Sequence, residues 1–462
     1  MSVVAPGTRW YNAVWRWHFY AGLFCIPFVV WLALTGTIYL WRPQVEALLD
    51  RPYDRLPVAA AGRVTTAAEQ VAAAVRAVPG STLHHYVLPD APGQAVRVLV
   101  ATAAGDRRVY VDPQSLAILH IATEDRRPFN VLMRLHGELL AGTIGSYLVE
   151  IAACWAIVML LTGLYLWWPR GRSGLAGLVY PRLRGGRRVF WRDIHAVAGL
   201  WVSVCALGLI VTGLPWAAAW GRYLGEVRAV TGTDQGPVDW TIGGKPPAPT
   251  RDPLPGAHDG QITPPAPGPH DGHLAMPAAS ASTAPGDLAR VVATVRPLRL
   301  APPVLIAPPT RPGAPWAATS DTADRPRRAT VQVDGATGRL LGRLDFADRH
   351  WIDRTIGYGI AAHEGALFGL ANQLLGTLTA LLLIVLAVSG AIMWWRRRPH
   401  ARLGAPPALS HPRFGAGLGA AIVLLGLAMP LFGATLIAVL ILERTTRHAS
   451  TVRRWLGLRA VA

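Results

Sequence analysis

Residues 17–41 read WHFYAGLFCIPFVVWLALTGTIYLW, an apolar run in which His18 is the only ionisable side chain besides Cys25 and the tyrosines. A helix of about 20 apolar residues is long enough to span the hydrocarbon core of a bilayer. The run is too long for the apolar part of a signal peptide, and it ends in Trp41-Arg42-Pro43 rather than in small residues. It therefore predicts a retained membrane span.

The rest of the chain contains further runs of this kind, which predict spans at about 144–168, 195–220, 371–395 and 416–442. Trp and Tyr gather at the ends of several runs, as they do at membrane–water interfaces. Of the 462 residues, 52% are hydrophobic and only 16% are charged, whereas soluble domains carry roughly a quarter charged residues. The composition and the runs together predict a multi-pass α-helical membrane protein whose first partner is the lipid bilayer.

The formal net charge of +18 would favour nucleic acid as the partner of a soluble protein. In a membrane protein, arginine instead gathers in short cytoplasmic loops. The segments 170–193 and 396–415 are both rich in arginine, so both are predicted to be cytoplasmic. The segments 43–135 and 221–362 then lie outside, and no nucleic-acid partner is expected.

An internal repeat is defined by the interval between a histidine and a Thr-Gly or Ser-Gly pair. The interval from histidine to hydroxyl residue is 17 in the first and third spans and 26 in the second and fourth. The matched residues are His18 with Thr35-Gly36, His195 with Thr212-Gly213, His136 with Thr162-Gly163, and His363 with Ser389-Gly390. Agreement in both residue type and interval indicates a duplicated unit.

The outer segments repeat as well. Thr66 and Glu69 form a capping box that opens a helix in the first copy, and Gly286-Asp287 opens a helix in the second. The predicted elements are a helix to about Val78 with strands at 95–101 and 108–112, and a helix to about Val295 with a strand at 330–334. The unit is therefore a span, a small α+β domain and a second span. It occurs twice and forms a four-helix bundle, and a fifth C-terminal span follows it.

These boundaries divide the chain in order. The predicted segments are the cytoplasmic N-terminus with span 1 (1–42), outer domain 1 (43–135), span 2 (136–169), a cytoplasmic loop (170–193), span 3 (194–220), outer domain 2 (221–362) with a disordered Pro-rich insert (236–285), span 4 (363–395), a cytoplasmic loop (396–415), span 5 (416–442) and the tail (443–462). Five spans place the arginine-rich tail outside, which conflicts with the charge rule.

Ionisable side chains within membrane segments are functional candidates by default. His18 and His195 lie at the cytoplasmic ends of their spans, and His136 and His363 lie at the outer entrances of theirs. One pair at each face fits two haem b groups, because imidazoles from two facing helices fill both axial positions of the iron and the apolar macrocycle lies between the helices. These four histidines are the predicted cofactor-binding residues and haem-iron ligands, and no catalytic residue is predicted.

Two secondary expectations accompany this assignment. Arg16, Arg134 and Arg192 are candidates to neutralise haem propionates, and the Thr-Gly and Ser-Gly pairs are expected to serve close helix packing. A straight helix from His136 to Thr162 would measure about 39 Å, which exceeds the roughly 30 Å of the hydrocarbon core. The outer histidines are therefore expected at the outer interface, or beyond a helix break near 142–145 and 369–372.

Other assignments for the histidines stay open. They could be interfacial groups that bond to the backbone or to lipid headgroups. Zinc is disfavoured because His363-Glu364 lacks the second histidine of H-E-x-x-H, position 367 being leucine. His270 and His273, with Met276, could bind copper or zinc within the insert. Covalent c-type haem is excluded because the chain has no C-x-x-C-H motif.

Several motifs carry a family resemblance: WHFYAGL at 17–23, LTGLYLWWPR at 161–170, HEG at 363–365 with Phe368-Gly369, and MWWRR at 393–397. With these motifs the chain resembles the PepSY-associated transmembrane family over nearly its whole length. The resemblance implies PepSY-like outer domains and a multi-pass protein of the bacterial inner membrane. Some members are similar to haem-containing reductases that reduce ferric siderophores on the periplasmic side, whereas soluble PepSY domains have been linked to protease inhibition.

The first hypothesis is a haem b electron-transfer protein that reduces a ferric siderophore, or another outer-side acceptor, during iron uptake. No G-x-G-x-x-G follows a strand, so quinol or a separate reductase is expected to be the electron donor rather than NAD(P)H or flavin bound to this chain. The alternative is a non-catalytic scaffold whose PepSY-like domains bind or inhibit a partner protein. A transporter is third, because the spans hold few charged residues besides Glu150.

Overall fold

The computed structural model describes residues 6–57, 63, 65–169, 174–234, 285–400, 402–407, 409 and 416–458. Arg170, Arg172, His270, His273, Met276 and the Pro-rich insert up to residue 284 lie outside these ranges. The helices of the described residues are α1 (Pro6–Leu40), α2 (Arg42–Leu49), α3 (Arg51–Asp54), α4 (Ala67–Ala77), α5 (Pro128–Glu138), α6 (Gly142–Trp167), α7 (Gly186–Gly213), α8 (Ala218–Thr231), α9 (Pro285–Val295), α10 (Trp351–His363), α11 (Leu370–Arg397), α12 (Ala416–Ala428), α13 (Pro430–Thr445) and α14 (Ser450–Leu456).

Within the residues that the structure describes, four helices are long and apolar enough to cross a membrane, namely α1, α6, α7 with the turn after it, and α11. Helix α1 packs against α6 and α11, and α7 packs against the same two helices, so the four form a closed bundle. Leu160, Val202 and Leu386 lie buried inside it, whereas Val204 and Leu378 are exposed on its outside. Exposed apolar side chains around a bundle are those that a bilayer would cover.

The predicted fifth span over 416–442 is wrong as a single crossing, because the chain forms α12 and α13 with a turn at Met429. Pro430 disfavours a helical conformation in the residue before it, and Met429 accordingly has φ −132° and ψ 86°. A Cβ built on Gly433 would lie 3.3 Å from the carbonyl oxygen of Gly426, seven residues earlier. The two helices therefore fold back on each other, and Met429 and Phe432 are buried against α6.

The C-terminal tail returns to the arginine-rich end of the bundle. The backbone N–H of Leu403 donates to the carbonyl of Trp455 at 2.9 Å, and the Tyr20 hydroxyl donates to the carbonyl of Leu456 at 2.6 Å. Leu403 follows α11, and Tyr20 lies two residues after His18 in α1. The tail is thus on the same side as the arginine-rich segment after α11, and the conflict with the charge rule disappears.

The two outer segments together form one antiparallel sheet. Its strands are β1 (Thr82–Leu88), β2 (Val96–Thr102), β3 (Gly105–Val111), β4 (Ile118–Thr123), β5 (Val304–Ala307), β6 (Trp316–Ser320), β7 (Ala329–Val333) and β8 (Leu340–Asp345). The strand order is β4-β3-β2-β1-β5-β6-β7-β8, so β1 and β5 join the two halves, with Tyr86 paired to Ile306. Alternate residues such as Val98, Val100 and Val331 are fully buried beneath α4 and α9.

The helix that opens the first outer domain begins where the sequence predicts. The hydroxyl of Thr66 accepts from the backbone N–H of Glu69, and the Glu69 carboxylate accepts from the N–H of Thr66 at 2.7 Å, so the predicted capping box is present. Helix α4 ends at Ala77, one residue before the predicted end. Strands β2, β3 and β7 correspond to the predicted strands with shifts of one to three residues.

Neither outer histidine lies on its membrane span. His136 belongs to α5, and the chain turns through Leu139 and Leu140, both with positive φ, before α6 begins at Gly142. His363 ends α10, and a turn with positive φ at Gly365 and Gly369 precedes α11. The breaks let each histidine turn into the bundle and reach a hydroxyl group on a neighbouring span, as expected if a straight helix would be too long for the bilayer.

Two polar ties hold α8 in place. At its start, Ser146 Oγ and Glu150 Oε2 of α6 accept from the backbone N–H groups of Ala218 and Ala219 at 3.1 and 3.0 Å. At its other end, Arg228 donates to both carboxylate oxygens of Asp353 in α10 at 2.7 and 2.8 Å. Only 2% and 3% of these two charged side chains are exposed. The pair fixes α10, and therefore His363, against α8.

Replacing Arg228 by Met should strongly destabilise the protein. The substitution removes the bidentate partner of a buried carboxylate, which costs about 3–5 kcal/mol in comparable cases. Denaturant unfolding in detergent would measure the loss. Arg343→Met, which breaks an exposed pair with Asp345, is the control and should change stability by about 1 kcal/mol or less. Equal stability of the two variants would contradict the role given to the buried pair.

Candidate metal centres

Four histidines meet as two pairs inside the bundle. The imidazoles of His18 in α1 and His195 in α7 face each other with ring centroids 6.2 Å apart and planes at 80°. Those of His136 and His363 lie 6.5 Å apart with planes at 77°. These are the pairs expected from the membrane depth that the sequence predicts for each histidine. The first pair lies at the arginine-rich end of the bundle, and the second lies below the sheet.

The inner histidines are held by the helix of the other span in the same unit. His18 Nδ1 lies 3.0 Å from the carbonyl oxygen of Met159 and 3.2 Å from Thr162 Oγ1. His195 Nδ1 lies 3.0 Å from the carbonyl oxygen of Leu386 and 3.2 Å from Ser389 Oγ. A carbonyl oxygen can only accept, so Nδ1 carries the proton in both rings. The lone pair of each inner imidazole is therefore on Nε2.

The outer histidines reach the same tautomer through hydroxyl groups. His136 Nδ1 lies 2.8 Å from Thr35 Oγ1, and His363 Nδ1 lies 3.0 Å from Thr212 Oγ1. Each hydroxyl already donates to a carbonyl oxygen one helical turn earlier, at 2.8 and 2.7 Å. Because a hydroxyl has only one proton, it must accept from the imidazole. The lone pair of both outer rings is again on Nε2.

The glycine after each hydroxyl residue makes room for the ring. A Cβ on any of the four glycines would lie 3.1–3.3 Å from the Cε1 atom of a histidine. The contacts are Gly163 with His18, Gly36 with His136, Gly213 with His363, and Gly390 with His195. Close helix packing was the main expectation for these pairs, and a notch beside a haem was the secondary one; the structure shows that they seat the histidines. The equal intervals in the sequence were the signal for this reciprocal contact.

The spacing of each pair fits a metal ion between two imidazoles. A metal lies about 2 Å from a ligating nitrogen, and the ring centroid lies roughly 1.1 Å behind it, so coaxial ligation separates centroids by about 6 Å. The observed 6.2 and 6.5 Å agree with this value. Among the described residues, no hydrogen bond engages Nε2 of any of these four histidines. All four side chains are half-buried.

The number of protein ligands favours haem over a bare ion. Within the ranges that the structure describes, no group of three or more His, Cys, Asp or Glu could hold a metal ion. A structural zinc site takes four protein ligands, whereas haem iron needs only two axial ligands because the porphyrin fills the remaining positions. Each pair therefore supplies the number of axial ligands that haem iron needs, which is two fewer than a structural zinc site takes.

The outer pair, which lies outside the four spans, is poised to ligate. Burial lowers the pKa of His136 to about 4, with a further contribution from the neighbouring His363, and burial lowers the pKa of His363 to about 4. Both rings are then neutral at neutral pH, which is the form that binds a metal. The Trp216 ring packs edge-on against His363 with centroids 5.7 Å apart and closes one side of this centre.

The two centres are separated along α1. His136 bonds to Thr35, and Thr35 lies 17 residues after His18, which corresponds to about 26 Å of helix. A straight helix from His136 to Thr162 would instead have measured about 39 Å. The turn between α5 and α6 therefore shortens the separation to a length that fits within the roughly 30 Å hydrocarbon core.

The arginines predicted to meet haem propionates already bond to protein groups. Arg16 donates to the carbonyl of Pro406 and to the Tyr20 hydroxyl. Arg134 donates to the carbonyl of Asp125 at 2.8 Å, and Arg192 donates to the carboxylate of Asp193 at 2.6 Å. Their assignment to propionates stays a prediction.

Four apolar spans below an eight-stranded sheet define an α-helical membrane protein with an outer domain. The chain belongs to the PepSY-associated TM region family, whose model matches residues 15–397 and therefore includes all four histidines. No curated protein matches the chain.

Replacing Gly213 by Ala should weaken haem binding at the outer pair. The added Cβ would lie 3.3 Å from His363 Cε1 and would push the ring from its seat. We expect roughly tenfold weaker binding, which corresponds to about 1.4 kcal/mol, in an absorbance titration with haemin. Gly208→Ala on the same helix meets no atom within 4 Å and is the matched control. Identical titrations for the two variants would contradict the seating role.

Proposed function

We propose that this protein is a haem b electron-transfer protein of the bacterial inner membrane that reduces ferric-siderophore iron on the periplasmic side. The observation that carries the proposal is the pair of facing histidines at each end of one bundle, at 6.2 and 6.5 Å. In this account the chain consists of two copies of one unit, a span, a PepSY-like outer half-domain and a second span. Each unit supplies one histidine to each centre.

His18 and His195 would hold the inner haem, and His136 and His363 would hold the outer one. Bound haem supplies reversible one-electron chemistry. The chain contributes the axial nitrogens, an apolar surrounding and the acceptors of the Nδ1 protons. An imidazole that donates its second N–H is a more basic ligand, so Thr35, Thr162, Thr212 and Ser389 orient the rings and tune the iron.

The separation of the centres supports transfer across the membrane. The two centres are about 26 Å apart along α1, which is most of the hydrocarbon thickness. The inner pair lies at the arginine-rich end, which the charge rule assigns to the cytoplasm. The outer pair lies on helices outside the four spans and next to the sheet. Electrons therefore enter at His18 and His195 and leave at His136 and His363.

Ferric siderophore is the proposed acceptor because the outer pair faces the side on which siderophores arrive, and because the family includes proteins similar to ferric-siderophore reductases. One electron converts ferric to ferrous iron, which such chelators hold weakly. Reduction would therefore release the iron for uptake. The donor of the electrons belongs to the inner side of the membrane.

Haem content tests the ligand assignment. Purified protein supplied with haem should show a reducible Soret band with sharp α and β bands and two haems per chain. His195→Ala should remove roughly half of the haem, and His136→Ala should remove the other half, because each variant lacks one axial ligand of one centre. His400→Ala, at an exposed position, is the control. Full haem content in the His→Ala variants of all four proposed ligands (His18, His136, His195 and His363), or a folded and colourless wild type, would refute the assignment.

Reduction of a ferric siderophore tests whether electrons leave the protein at the outer histidine pair. Dithionite-reduced protein should be reoxidised by a ferric siderophore, and a chromogenic ferrous chelator should record the iron released. His363→Ala should slow this reoxidation at least about tenfold, since removing one axial ligand disrupts the centre nearest the acceptor. Unchanged reoxidation in His363→Ala would show that electrons leave by another route.

A further inference from the structure

Nearly all of the positive charge of the chain belongs to one end of the bundle. The segments that flank that end in the sequence, namely 1–17, 169–194, 396–415 and 443–462, contain 19 arginines and only two acidic residues. They account for +17 of the net +18, and the rest of the chain holds 26 basic and 25 acidic residues. The return of the C-terminal tail to this end brings Arg453 and Arg454, which precede Trp455 in α14, close to the segment after α11.

Six exposed arginines form a patch at this end, which we call the arginine patch. Its members are Arg184, Arg187, Arg188, Arg396, Arg397 and Arg398. The Arg397 guanidinium lies 5.1 Å from the ring centroid of Trp15 and 5.6 Å from that of Phe19, so the end of α11 is bound to α1. Arg397 also experiences the charge of Arg188, near the start of α7. The patch therefore extends across the end of the bundle from α1 to α7.

This position lies over the inner histidine pair. Arg188 precedes His195 by seven residues, which corresponds to about 10 Å of helix. Arg397 follows Gly390, the glycine that seats His195, by the same number of residues. The arginine patch is thus about two helical turns from the atoms proposed to receive the electron.

The charge of the patch is not neutralised by the acidic residue nearest to it in sequence. Asp193 is fully buried and its carboxylate already accepts from Arg182 and Arg192 at 2.7 and 2.6 Å. Like charges held together repel one another, and a partner with clustered carboxylates would remove that cost.

Resting on the proposed function, we infer that the arginine patch docks an acidic, soluble one-electron carrier protein that delivers electrons to the inner haem. In each transfer the carrier is oxidised by one electron and the ferric haem iron is reduced to ferrous, with no bond made or broken in the chain. Complementary charge steers such encounters and raises association rates by about 10- to 1,000-fold. The patch thus selects a protein donor in preference to quinol in the bilayer.

Reduced flavodoxin, an acidic flavoprotein, is a suitable probe. The full-length, haem-loaded protein in nanodiscs of zwitterionic lipid should be reduced by flavodoxin in stopped flow, with a second-order rate that falls at least about tenfold from low to high salt. The variant Arg188→Gln/Arg397→Gln should lose at least about tenfold of the low-salt rate. Reduction by dithionite should be the same in the variant and in the wild type.

The matched control is Arg339→Gln/Arg343→Gln, which removes two exposed arginines from the outer sheet and should retain the wild-type rate. Binding of flavodoxin to immobilised nanodiscs adds a readout that does not need haem. If the protein binds no haem, the proposed function is refuted, and this binding measurement still tests the docking surface. Salt-independent rates, or equal flavodoxin binding by the patch and control variants, would overturn the inference. The inference would also be overturned if the patch variant kept its binding to flavodoxin and lost only its binding to vesicles that contain phosphatidylglycerol.

Discussion

The structure depends on one repeated interaction, in which the Nδ1–H of a histidine is donated to a hydroxyl or carbonyl group on the companion helix of the same unit. In the first unit, His18 of α1 bonds to Thr162 of α6, and His136 bonds back to Thr35 of α1. The second unit repeats the exchange between α7, α10 and α11. Each bond joins two helices and leaves Nε2 directed to the centre of the bundle. The same contacts therefore determine how the helices pack and how the rings are placed to ligate a metal.

This constraint explains features that would otherwise be unrelated. The helices that carry His136 and His363 must stop and turn before the membrane, because only then can the rings reach Thr35 and Thr212. A Cβ on the glycines beside the hydroxyl residues would crowd the rings at 3.1–3.3 Å. The buried pair between Arg228 and Asp353 then fixes the helix that carries His363.

Much of this could be predicted from the sequence, since long apolar runs and equal intervals are local signals. Hydropathy gave the four crossings, and the matched intervals gave the histidine pairs. The fold-back at Met429 was missed, because apolar residues on both sides of a turn look like one continuous span. Strands β1, β4, β5, β6 and β8 were missed as well, and β5 is only four residues long and pairs with β1 more than 200 residues earlier. That pairing joins the two outer halves, and no local pattern records it.

We propose that each histidine pair holds one haem iron between two imidazoles. Electron paramagnetic resonance of the oxidised, haem-loaded protein tests this arrangement, because the signal depends on the angle between the two axial rings. Planes at 80° and 77° predict two low-spin ferric centres with the strongly anisotropic signal of nearly perpendicular imidazoles. A high-spin ferric signal, or the weakly anisotropic low-spin signal of parallel rings, would contradict the geometry.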